Sequence, residues 1–279
     1  MDKLRLLVET YYDYQKGRIA YYNRLNRFPE EIRNITEKET VFSEIAKNME
    51  KLEKSLINAM KKELEKDELY TKVLSRIKGI GVVLSADLIA WLCRERDFTI
   101  ANSHPMFEQI KKLPYAKIEK IDEKQSRVIL PPVLDVAKYP SDLYKYCGLI
   151  PKCRKIKGEQ ISYNPKLKTL FWKVARQILL ARKSFYCTMY NMEKAKFMKK
   201  YENVKEGSGK LLAHFTAIKK VSRHLALTIY LAYKHIKKQP KYLPYPIEVL
   251  KHGVEPPFVD GENGKPEYLE FLIEKPDTK

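Results

Sequence analysis

Cysteine is scarce in this chain, with four in 279 residues, and glycine is not much commoner, at ten. Cys93, Cys147, Cys153 and Cys187 form no Cys-X-X-Cys pair and no zinc spacing. That excludes a thiolate metal knuckle and a disulfide-stapled scaffold, so the four read as reduced thiols of a cytoplasmic protein. No apolar run approaches the roughly 18 residues that a membrane-spanning helix needs. The opening segment, MDKLRLLVETYYDYQKGR, has neither the uninterrupted apolar core nor the small-residue cleavage site of a signal peptide. No membrane partner is expected.

Catalytic groups are thin as well. His104, His214, His224, His235 and His252 are scattered, and His214 and His224 lie ten apart on one helical pattern, on roughly opposite faces. They make neither a metal pair nor part of a Ser-His-Asp set, and His214 reads as a capping or core residue. A two-metal nuclease needs several converging carboxylates. Asp87, Glu95 and Asp97 are neighbours in sequence, but no acidic set stands at the ends of predicted strands. No metal site is assigned.

What the chain has in excess is positive charge. Lys and Arg number 54 against 35 Asp and Glu, a formal charge of +19, while 44% hydrophobic residues are enough for a real core. A folded protein this basic points to a polyanionic partner. The charge is concentrated: Lys152, Arg154, Lys155, Lys157, Lys166, Lys168, Lys173, Arg176, Arg182 and Lys183 fall within 152–183, opposed only by Glu159. Tyr163, Phe171, Trp172 and Tyr186 are interleaved with them. Cations for phosphate and rings for stacking are the make-up of a nucleic-acid surface. For Phe171 and Trp172 the buried face of a helix is the preferred reading.

Against so few glycines, the pair in LSRIKGIGVVLSADLIAWL (74–92) stands out. Apolar residues lie at helical spacing on both sides: Val73, Leu74 and Ile77 before, Val83, Leu84, Leu88 and Trp91 after. Gly79, Ile80 and Gly81 therefore mark a tight turn between two helices. Read as a helix-hairpin-helix, the turn offers backbone N–H groups to a phosphate. Read as a plain helix corner, the glycines serve packing. Both readings stand at this point.

The rest of the chain predicts a mainly α fold. Residues 1–27 form a helix with a stripe at Leu4, Leu7, Tyr11, Ile19, Tyr22 and Leu25, ended by Phe28-Pro29. Thr36 with Glu39 suits a capping box. A long helix follows, with Phe42, Ile45, Met49, Leu52, Leu56 and Ala59 at steps of three and four. That spacing fits a coiled-coil seam, hence an oligomerising arm over 1–66, or one helix of an internal bundle. The domain at 67–238 opens with the glycine hairpin and carries an insertion at 99–137. There KIEKIDEKQSRVILPP alternates like a β-hairpin or loop. Long helices are predicted over 167–197 and 213–237, and the Pro- and aromatic-rich stretch 239–279 as an extended tail on the surface.

Several segments, in order, resemble the insertion-sequence transposases of the IS one-ten class. LRLLVETYYDYQKGRIAYYNRLNRF (4–28) is similar to the helical stretch after that family's nuclease domain, and LSRIKGIGVVLSADLIAWL to the opening of its C-terminal domain. YPSDLYKYCGLIP (139–151) resembles the helix that ends in Gly-Leu-Xaa-Pro. ISYNPKLKTLFWKVA (161–175) resembles the next motif, and HFTAIKKVSRHLALTIY (214–230) the closing helix. The resemblance implies a helical nucleic-acid-binding half of a transposase. It implies DNA, or a structured RNA, as partner, and a homo-oligomeric synaptic assembly. The family's DEDD nuclease domain and its divalent metal belong N-terminal to residue 4, so no cofactor is expected from this chain's residues. Where the family has its catalytic serine, this chain reads KCRKIKGEQ (152–160), and Ser162 is the residue that could stand in as nucleophile. The rival expectations are an active recombinase subunit using Ser162 with a separate DEDD partner, and a non-enzymatic helical interaction protein.

Overall fold

A computed structural model describes residues 2–27, 41–150, 161–202, 208–239, 256–262 and 265–269. The protein is mainly α with little β structure, as the periodicity predicts. Helix α1 (Lys3–Leu25) starts at Asp2, whose carboxylate accepts the Arg5 N–H, and packs lengthwise against α2 (Val41–Leu64). Gly17 leaves room for the Met49 thioether, and the Arg18 guanidinium holds Glu53 through two hydrogen bonds of 2.6 and 3.0 Å. Helix α2 packs on α1 of the same chain, as in the internal-bundle alternative, through the buried positions Ala46, Glu53, Met60 and Leu64, while Ile45, Met49, Leu56 and Ala59 of the predicted seam are only half-buried. Leu52, one of the predicted seam residues, is 44% exposed. The helix pair is also rooted in the main core, through Leu4, Val8 and Tyr11 of α1 and Met60 and Leu64 of α2. Phe28-Pro29 and the Thr36–Glu39 capping box lie outside the described residues.

The glycine hairpin is compact. Helix α3 (Glu68–Lys72), capped by Asp67, runs into a 3-10 turn at Leu74–Arg76, and α4 (Val82–Leu92) follows the turn. The insertion holds more than a hairpin. Strands β1 (Arg96–Ala101), β2 (Lys117–Lys120) and β3 (Gln125–Leu130) form an antiparallel sheet in the order β1-β3-β2, with Phe98 and Ile118 both opposite Val128. Helix α5 (Pro105–Lys111) covers the sheet, and Phe107, Ile110, Val128 and Leu130 make a small core separate from the main one. The predicted hairpin is β2–β3. Strand β1 and α5 went unread because a three-stranded sheet needs a partner from before residue 99.

After α6 (Val133–Val136) and α7 (Pro140–Tyr146), Gly148 takes φ +66 and ends α7. The Leu149 N–H reaches the Tyr144 carbonyl and the Gly148 N–H that of Lys145, a Schellman end. The helix expected over 167–197 is two helices, α8 (Pro165–Ala181) and α9 (Phe185–Lys200). Asn164 caps α8 by accepting from the Lys166 and Leu167 N–H groups. Arg182 ends it in the left-handed region, and Ser184 caps α9. Periodicity alone cannot see this break, because apolar spacing resumes in phase beyond it. Helix α10 (Ser208–Ile236) is buried nearly all round from Val221 to Lys234 and forms the centre of the core.

The surface tail is corrected over its described part. Strands β4 (Phe258–Asp260) and β5 (Pro266–Tyr268) pair antiparallel, and Phe258 and Val259 are fully buried in the main core. The physical cause is Asp260. Its Oδ1 accepts from the Phe185 N–H and the Ser184 hydroxyl, and its Oδ2 from the Lys78 N–H at 2.7 Å. One carboxylate thereby fastens the tail to both the start of α9 and the glycine turn.

Candidate nucleic-acid interface

The two glycines of the turn do different jobs. Gly79 has φ +101, and a Cβ there would stand 2.6 Å from Ile178 Cα and 3.0 Å from the Gln177 carbonyl oxygen. It lets the turn lie directly on the backbone of α8. Gly81 is the N-cap of α4 with extended backbone (φ −82, ψ 174), and nothing lies within 4 Å of its Cβ position. Its partner-free side is open. Ile80 is a core residue, 7% exposed, and its N–H is taken by the Ile77 carbonyl. The Lys78 N–H is taken by Asp260. The Lys78 and Ile80 donors are therefore committed within the protein, a correction to the phosphate-cradle expectation for Ile80. What remains open is the first turn of α4, where the N–H groups of Val82, Val83 and Leu84 have no intrahelical acceptor.

That helix start opens into a groove of about 880 Å³, walled on one side by Tyr12 and Gln15 of α1 and on the other by Trp172, Lys173, Arg176 and Leu180 of α8. A second cleft of about 850 Å³ continues along α8 past Thr169 and Lys166, with Lys16 of α1 on its far wall. Beyond the turn, a third of about 910 Å³ is lined by Lys78, Arg182, Lys183 and the polar groups of Ser184, Thr188 and Asn191. The cations of α8 are thus aligned. Lys166, Lys173 and Arg176 recur at seven and three residues on one edge, and Arg182, Lys183 and Lys78 extend the line past its C-terminus. With 17 residues, α8 makes the strip about 25 Å long.

These charges are only loosely committed. Lys166 meets Glu9 at 3.7 Å with both side chains about 40% exposed, a weak surface pair. Among the described residues no carboxylate lies within ion-pairing distance of Lys78, Lys173, Arg176, Arg182 or Lys183. Instead the cations rest on rings: Lys166 over Trp91 at 4.1 Å, Lys173 over Tyr12 at 5.0 Å and Arg176 over Trp172 at 5.3 Å. Cation–π contacts orient a charge without neutralising it. Trp172 is 37% exposed beside Arg176, whereas Phe171 is fully buried. The core reading holds for Phe171 and fails for Trp172, because adjacent helix positions differ by about 100°.

Other predicted site residues lie elsewhere. Lys168 is on another face of α8, 4.4 Å over the Tyr163 ring and against Gly148. Lys152, Arg154, Lys155 and Lys157 are outside the described residues. Ser162 is exposed, and its hydroxyl has no hydrogen-bond partner among the described residues. His214 packs against Tyr190, its Nδ1 paired with the phenol, and burial lowers its pKa. His224 is a core residue beside Tyr186 and Phe258. Among the described residues no group of three His, Cys, Asp or Glu side chains is placed to hold a metal ion, and no helix is long and apolar enough to cross a membrane. Sequence reasoning missed Lys78, Tyr12 and Gln15 as members of the strip; the first turn of α4 was the part of the helix-hairpin-helix reading already expected to face an anion. The lone signal was the unusual density of tyrosine in α1.

No family model matches this chain, and no curated protein or solved structure matches it significantly.

Proposed function

We propose that this protein binds nucleic acid along the edge of α8, with phosphates neutralised by Lys166, Lys173, Arg176, Arg182, Lys183 and Lys78. The observation that carries the reading is the alignment of these cations into one strip about 25 Å long beside an open helix start at Gly81, with Lys166 alone among them ion-paired, weakly, to Glu9 among the described residues. The formal charge of +19 supports it. The contacts available are to phosphate and sugar and carry no base readout, so binding positions the nucleic acid rather than selecting a sequence. The ordered resemblance to insertion-sequence transposases supplies a context, the handling of DNA ends during strand exchange, with a second copy of the chain as a partner.

The test is fluorescence anisotropy against duplex DNA, branched DNA and a structured RNA over a salt series. If the six cations each neutralise a phosphate, log K falls with log salt at a slope of roughly −5. The double variant Lys173→Glu/Arg176→Glu flattens that slope by about 2 and weakens binding at least tenfold. Salt-independent binding, or none at low salt, would overturn the proposal and favour an acidic protein partner.

A further inference from the structure

Asp87 sits on α4 at the floor of the cleft between α1 and α8, only 3% exposed. Tyr12, Lys166 and Lys173 line the same cleft, and the two lysines are the cations whose charge acts on its carboxyl. Its Oδ1 atom is buried and has no hydrogen-bond partner among the described residues. An unpartnered buried carboxylate oxygen is costly, and such a group in a native protein calls for an explanation. Burial pushes the carboxyl above its ordinary range, and the two lysines only partly offset this. Among the described residues no arginine or lysine forms an ion pair with it; Lys166, on the same cleft, pairs with Glu9 instead.

The cleft above it has the sequence of chemistries found along a nucleotide. Lys166 and Lys173 stand on its wall with Glu9 and Asp13 opposite, a space of about 850 Å³ lies between the helices, and Asp87 lines it with one buried oxygen that has no hydrogen-bond partner among the described residues. The Lys173 side chain is exposed and lies over Tyr12, so it can swing toward a phosphate as a ring enters. We infer that this cleft takes one unpaired nucleotide out of the bound strand, with its base donating N–H groups to Asp87. A carboxylate accepts best from the paired N1–H and N2–H of guanine, which reach both of its oxygens along one edge. Uracil and hypoxanthine each offer a single N–H on that edge. This inference rests on the proposed strip and adds to it a base-selective pocket.

Calorimetric titration of the full chain with nucleoside monophosphates tests it. Guanosine monophosphate is expected to bind about tenfold tighter than inosine or uridine monophosphate, since one donor of a bidentate pair is lost. Asp87→Asn is close in shape and removes the acceptor pair, so the three ligands become equal within about twofold. The guanosine–inosine comparison needs no variant, and therefore stands even if Asp87→Asn folds poorly. Equal binding of all nucleotides overturns the inference, as does preferential uptake of magnesium or spermidine. So does a lack of nucleotide binding by protein that still binds duplex DNA with a steep salt slope, a result that leaves the strip intact. Duplex binding indifferent to Lys173→Glu/Arg176→Glu instead overturns the strip.

Discussion

Replacing Gly79 by alanine and, separately, Gly81 by alanine separates packing from presentation at the turn. At Gly79 an L-residue must adopt φ +101, outside the region where even Asn is comfortable. That conformation costs about 1–2 kcal/mol. The new methyl would also stand 2.6 Å from Ile178 Cα, which is helix backbone and cannot rotate away. Relief requires α8 to shift, at about 1–3 kcal/mol. Gly79→Ala is therefore expected to destabilise by about 2–5 kcal/mol, a fall in Tm of about 5–10 °C or more. Gly81 has ordinary extended backbone and open space around its Cβ position. There the loss of a preferred N-cap is offset by reduced unfolded-state entropy, and the net effect is within about 1 kcal/mol. Urea denaturation followed by circular dichroism, with m-values compared, reads both. If the two variants unfold within about 0.5 kcal/mol of each other, the claim that Gly79 is required by its contact with α8 is wrong.

Gly81→Asp adds an N-cap acceptor and a favourable helix-end charge, about 0.5–1 kcal/mol of stability, while placing a negative charge in the groove. It should be more stable to urea yet bind DNA several-fold more weakly, and a loss of both would count against the open helix start as an anion site. Asp260→Ala strands the Lys78 and Phe185 N–H groups and the Ser184 hydroxyl, for a loss of about 2–4 kcal/mol in the same assay. Wild-type stability on that change would mean that the tail does not fasten the turn. Arg18→Ala leaves Glu53, 5% exposed, without its partner and should cost about 2–3 kcal/mol. The paired change Arg18→Met/Glu53→Leu should recover most of it. The His214 pKa is lowered in the folded state, so the unfolded chain binds its proton first. Stability thus falls as pH drops through the ordinary histidine range near 6.5, and His214→Gln should flatten that part of the pH–stability curve.

Much of the fold was legible because helices advertise themselves through local spacing. The starts of α1 and α8, the turn at 79–81 and the end of α7 at Gly148 all rest on residues within a few positions of one another. The strand pair β2–β3 was visible for the same reason, its alternation being complete within its own length. The boundary between α8 and α9 was not legible, since Arg182 adopts a left-handed conformation at a break whose donors are satisfied by Asp260, 76 residues after Ser184. Strand β1 and the burial of Phe258 are of the same kind. Their partners come from distant chain, and a sequence carries no mark of which distant segment will arrive.

The candidate site divides along the same line. Composition and local order alone established a basic, mainly helical protein with its cations dense in 152–183 and a glycine turn at its centre, because charge and periodicity are sums over neighbouring residues. Packing then sorted those cations. It turned Lys166, Lys173 and Arg176 to one edge and Lys168 to another, put Ile80 in the core, and brought Tyr12 and Gln15 of α1 across from α8. It also buried Asp87 beneath that edge with one oxygen unpartnered. Which side of a helix meets solvent depends on what packs against the other side, and that is set by contacts between segments far apart in the chain.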